Sequence, residues 1–144
     1  MNFLLDTNVI SELRKGPRSN ANVRQWFVEV PTECIYLSTL VFGEIRKGIE
    51  RVRRRDIKAA NVLDGWLKQL KILYSQRLLP VTEEIADMWG SLNVPDPLPT
   101  IDGLLAATAI IHDLVLVTRN AKNIEKTGVR FLNPFVTSKP GARN

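Results

Sequence analysis

Three apolar residues followed at once by an acid, Phe3-Leu4-Leu5-Asp6-Thr7-Asn8, constrain the fold of this chain more than any other stretch. The triplet is too short for a helix and reads as a buried strand. Asp6 stands where that strand should stop. Thr7 and Asn8 are good helix caps ahead of Val9, Ile10 and Leu13, whose spacing opens a helix. A carboxylate at the C-terminal end of a buried strand, opening a helix, lies where open α/β sheets hold ligands.

The same alternation runs on through the chain. A helix from about Val9 to Lys15 stops at Gly16-Pro17. Val23, Trp26, Phe27 and Val30 then form a helical stripe that Pro31 closes, and its two aromatics read as core. Ile35-Tyr36-Leu37 is a second strand. Ser38 and Thr39 can cap the next helix, whose inner face is Val41, Ile45, Ile49 and Val52. Asp56 caps a long helix to about Tyr74, with Ile57, Ala60, Leu63, Leu67 and Leu70 at helical spacing. Leu78-Leu79-Pro80-Val81 is a third strand, and its proline suits an edge position. Thr82 caps a helix that buries Ile85, Trp89 and Leu92. A stiff loop with Pro95, Pro97 and Pro99 follows. Thr100 then caps Ile101 to Ile111, which is apolar nearly all round and therefore central. Leu114 to Val117 and Val129 to Leu132 complete five strands. Strands separated by single helices or helix pairs imply an α/β fold, a parallel sheet with helices on both faces. Residues 1–136 are expected to form one domain and 137–144 a frayed, flexible tail.

Composition narrows the chemistry. No apolar run approaches the ~18 residues of a membrane span, and no signal peptide is apparent. Cys34 is the only cysteine, which rules out an internal disulfide and fits a reducing cytosol. His112 is the only histidine, so histidine-rich zinc sites and Ser-His-Asp triads are disfavoured. A net charge of +5 and a pI near 9.7 favour an acidic partner, nucleic acid first. The run Arg51-Val52-Arg53-Arg54-Arg55 has two open readings, a solvated helix end or an attractor of RNA phosphates. Trp66 reads as core or subunit interface rather than as a base platform.

The acids carry the sharper signal. Asp6 ends the first strand, Glu44 lies in the first half of the helix after the second, and Asp102 is in the first turn of the buried helix. Each has an ordinary explanation as a cap, a solvated residue or a dipole partner. In a parallel sheet, however, all three can share one C-terminal edge. Two carboxylates at ~4 Å repel by ~4 kcal/mol at an effective dielectric of ~20. Without a cation, one should be protonated or the site should splay. Mg²⁺ or Mn²⁺ relieves this, since both favour oxygen ligands.

Four stretches in register resemble the successive motifs of PIN-domain ribonucleases, and more narrowly those of VapC/FitB-type toxins. They are Leu4 to Leu13; Glu44, six residues after Ser38; Asp102-Gly103-Leu104-Leu105-Ala106-Ala107-Thr108-Ala109; and Leu116-Val117-Thr118-Arg119-Asn120. The likeness extends in order through Asn133-Pro134. It implies a PIN-like three-layer fold with a five-stranded parallel sheet of order 3-2-1-4-5. It also implies Mg²⁺- or Mn²⁺-dependent cleavage of RNA. By it, Asp6, Glu44 and Asp102 match the metal-binding acids, Asn8 orients Asp6 beside Thr7, and Thr118 and Asn120 match polar residues next to the site. Asn123 stands where the family often has a fourth acid. An amide ligates without charge, so a second metal should bind weakly. The expected mechanism is in-line attack by water on one ion held mainly by Asp6 and Asp102, with Glu44 ligating through water or accepting its proton. The resemblance further implies a homodimer and a small cognate antitoxin. Two other α/β readings are weaker. Phosphatases with a strand-end Asp nucleophile want a second acid at position 8, which is Asn, and no glycine-rich dinucleotide turn follows the first strand. A non-catalytic RNA-binding module of the same fold is the stronger rival.

Overall fold

Leu4 and Leu5 are successive residues of one strand and both are buried, so this strand is covered on both faces. The strand is β1 (Phe3–Leu5), at the centre of a five-stranded sheet of order β3-β2-β1-β4-β5. Its neighbours are β2 (Ile35–Ser38) and β4 (Val115–Val117), with β3 (Leu78–Leu79) and β5 (Phe131–Leu132) at the edges. Each pairing that forms the sheet is parallel. The computed structural model describes residues 1–136; the tail expected over 137–144 lies outside the described residues.

Parallel neighbours need crossovers, and the helices supply them. α1 (Thr7–Arg14) and α2 (Ala21–Glu29) link β1 to β2, and α3 (Thr39–Arg53) and α4 (Ile57–Leu73) link β2 to β3. α5 (Glu83–Leu92) and α6 (Thr100–Ile111) lead from β3 to β4. α3 packs along α4, and α5 along α6. After β3 the chain returns to the far side of β1, so the strand order reverses between β1 and β4. Ligands of open α/β sheets bind outside the strand ends at such a reversal.

The elements follow the expected pattern, with local differences. Asp6, not Thr7 or Asn8, is the N-cap of α1. Three cap-competent residues stand in a row, and the one still extended at the strand end takes the role. α6 begins at Thr100 with Pro99 as its N-cap and no side-chain cap, because Pro99 is fixed in the extended conformation a cap needs. Ile57 is 65% exposed, since the first turn of α4 overhangs the core that Ala60 and Leu67 enter. Strand β3 ends at Leu79, before Pro80. Trp26, Phe27 and Trp66 are partly buried against the core, as their stripes imply.

α3 carries Glu44 and starts at Ser38, a fully buried residue whose hydroxyl accepts the Leu40 amide at 3.1 Å. Replacing Ser38 by Ala is expected to lower unfolding stability by about 1 kcal/mol, the ordinary worth of such a cap. Urea denaturation checks this, and an unchanged midpoint would show that the α3 start needs no cap.

Candidate active site

Asp6 is built into the β1–α1 junction. Its own amide continues the sheet ladder to the Val117 carbonyl at 2.9 Å. Its Oδ1 accepts the Thr7 amide at 2.6 Å. Its Oδ2 accepts the Thr118 hydroxyl at 2.7 Å, and the Asn8 amide at a longer 3.3 Å. Thr118 follows β4 and is itself buried. The Asn120 amide donates to Thr118 Oγ1 at 3.0 Å, which turns the hydroxyl proton toward Asp6. Asn8 Oδ1 in turn accepts the Arg119 amide at 3.4 Å. Thus Thr7, Asn8 and Thr118 meet at Asp6, and the Asn120 backbone amide supports Thr118.

The other two acids stand around this centre, each held by a neutral donor. Glu44 Oε1 accepts the Thr7 hydroxyl at 2.5 Å, so Thr7 bridges α1 to α3. Asp102 Oδ2 accepts the Asn123 side-chain amide at 3.1 Å. The turn that carries Asp102 is pinned by packing that sequence reasoning missed. A Cβ on Gly103 would lie 3.1 Å from Trp89 Cδ1 and 3.3 Å from Leu98 Cβ. Trp89 and Leu98 therefore press against the backbone beside Asp102. The Asp102-Gly103 pair in a helix that is otherwise mostly apolar was the available signal.

Burial is the main cause that lifts the Asp6 pKa above its ordinary value. The hydrogen bonds from Thr118 and Thr7 oppose the lift, and the charges of Asp102 and Glu44 add to it. Asp6 therefore feels the charge of both other acids. Yet among the described residues no three Asp, Glu, His or Cys side chains stand close enough together to hold one ion. The three acids are spread wider than the ligand shell of one ion. The donor set nonetheless suits a hard divalent cation, because it offers carboxylate, hydroxyl and amide oxygens and neither thiolate nor imidazole.

The basic run divides in two. Arg53 is bound to Asp64, Glu50 and Asn61, and Arg46 reaches Asp64 at 2.5 Å and Glu50 at 3.1 Å. These arginines clamp α3 to α4. Arg51, Arg54 and Arg55 have no ion pair among the described residues. Arg53 lies nine residues beyond Glu44, about 13 Å along the helix.

A family model described as the PIN domain matches residues 3–129. The chain belongs to the PIN-domain family. This PIN domain is 33% identical to Toxin FitB of Neisseria gonorrhoeae over 139 residues, covering 92% of this chain and 98% of that protein. It is 31% identical to VapC ribonuclease Y4jK of Sinorhizobium fredii, covering 92% and 97%. It superposes on a solved structure of FitAB bound to an IR36 DNA fragment with a TM-score of 0.85 at 30% identity, covering 95% and 98%. It is thus a PIN domain of the VapC/FitB toxin type, whose members are generally metal-dependent nucleases. None of its helices among the described residues is long and apolar enough to cross a membrane.

A raised carboxylate pKa has a definite sign in stability. Asp6 binds its proton more tightly in the folded state, so this contribution is full at low pH and is lost as pH rises through the folded pKa. With divalent ions chelated, Asp6→Asn should therefore gain stability relative to the parent as pH is raised from 4 to 7. Denaturant midpoints across that range test this, and a constant difference would contradict it.

Proposed function

We propose that this PIN domain is a Mg²⁺- or Mn²⁺-dependent endoribonuclease acting as the toxin of a toxin–antitoxin pair. The observation that carries the reading is the buried Asp6 at the strand-order reversal, with Glu44 and Asp102 near enough to raise its pKa. Asp6 and Asp102 would hold the ion directly, and Glu44 directly or through water. When bound, the ion supplies charge neutralisation at phosphate and a more acidic coordinated water. The chain's own part is orientation and proton transfer. Thr118, Thr7 and Asn8 fix the Asp6 carboxylate. Thr7 holds Glu44, which would ligate the ion through water or accept that water's proton. Asn123 is at best a weak ligand, because its NH₂ is turned to Asp102 and it carries no charge. Attack by water opposite O3′, with the P–O3′ bond breaking and O3′ taking up a proton, would leave a 5′-phosphate and a 3′-hydroxyl.

The relatives support the biological setting. FitB is called a toxin, and the matched solved structure is of a FitAB complex. For this chain we propose a small cognate antitoxin, a homodimeric toxin and a cytoplasmic location. An antitoxin arginine would fit the acids, since a guanidinium supplies the counter-charge they need. The splayed acids also favour a second reading, an RNA-binding PIN-like module with weak or no nuclease activity.

Cleavage of single-stranded RNA by the purified protein separates the two. The nuclease reading expects activity with Mg²⁺ or Mn²⁺, none in chelator, and a loss of about 100-fold or more in Asp6→Asn and Asp102→Asn without loss of fold. Binding without metal-dependent cleavage supports the module instead. Products ending in a 2′,3′-cyclic phosphate would exclude attack by water.

A further inference from the structure

α3 contains two glycines that its own packing does not require. Gly43 and Gly48 lie inside the helix, and a Cβ on either would meet nothing within 4 Å. Glycine inside a helix is less stable there than alanine. At Gly43 the open space is part of a groove of about 350 Å³, lined by Thr39, Leu40, Gly43, Glu44, Lys47 and Ile101. That volume is at the small end of ligand sites. The groove shares Glu44 with the candidate active site, and its Ile101 precedes Asp102.

Its lining has a particular character. Leu40 and Ile101 supply apolar wall, Thr39 a hydroxyl, and Gly43 a bare stretch of helix backbone. Lys47, one turn beyond Glu44, is the only cation among these residues. It is exposed and has no ion pair or hydrogen bond among the described residues, unlike its neighbour Arg46, which is held by Asp64 and Glu50. A polyanion approaching three carboxylates is repelled, and a free ammonium at the rim offsets that repulsion where the chain must enter.

We infer that this groove seats the nucleotide next to the scissile phosphate, with Lys47 contacting an RNA phosphate and Gly43 leaving room for the sugar and base against Leu40 and Ile101. The inference rests on RNA being the substrate. It assigns binding rather than chemistry to both residues.

The test measures binding of a fluorescent single-stranded oligoribonucleotide in chelator over a NaCl series, and cleavage kinetics in Mg²⁺. Lys47→Gln should reduce the slope of log affinity against log salt by about 1 and raise KM with little change in kcat. Gly43→Leu should weaken binding and raise KM, roughly tenfold each, although its melting temperature stays at or above the parent's. Gly43→Ala, which adds only a methyl group, should melt higher than the parent and confirm that the position is not needed for folding. Parent-like RNA affinity and salt slope in both Lys47→Gln and Gly43→Leu overturn the inference. So does a change of oligomeric state in Gly43→Leu with RNA affinity intact, which would make the groove a contact between copies of the chain. Loss of the nuclease reading looks different: the parent binds RNA, the variants shift that binding as stated, and no metal-dependent cleavage occurs.

Discussion

The hydroxyl of Thr118 donating to the buried carboxylate of Asp6 ties together the ends of β1 and β4, the two parallel strands between which the strand order reverses. The rest of the site is arranged around this contact. It fixes one oxygen of Asp6, and the Thr7 amide fixes the other. A carboxylate so enclosed is costly to ionise, as its raised pKa shows. Two further acids close by increase that cost. Burial first, and the two neighbouring charges after it, act together on Asp6, and a divalent ion held there would offset both.

Each outer acid reaches the edge by a different route. Glu44 depends on α3, whose start is set by Ser38 and whose far end is clamped to α4 through Arg46, Arg53 and Asp64. Asp102 depends on the α6 start, held by Pro99 and by the packing of Trp89 and Leu98 on Gly103. Packing elements thus aim the acids, and small hydrogen-bonding residues, Thr7 and Asn123, restrain them.

Much of this was legible in local sequence. An apolar triplet ending in an acid identifies β1 and Asp6, because strand length and a cap signal coincide there. The inner stripe of α3 and the apolar α6 are equally plain, since period and burial agree. The order 3-2-1-4-5 was not readable from periodicity; it came from the resemblance. Cap choice was misjudged at Thr7 and Thr100, where adjacent residues compete and local backbone geometry decides. The exposure of Ile57 could not be read, because helical spacing does not say where the core ends. The pairing of Arg46 and Arg53 with Asp64 and the seat of Gly103 against Trp89 join residues on different helices, and no local pattern encodes such contacts.

The central claim is that Asp6, Glu44 and Asp102 share one hydrated divalent cation. Anomalous diffraction from crystals of the parent protein soaked in Mn²⁺ tests it most directly. The account predicts a single strong peak within ligand distance of Asp6 and Asp102, with Glu44 bound to it directly or through one water. A peak elsewhere, or none near these carboxylates at saturating Mn²⁺, would contradict it.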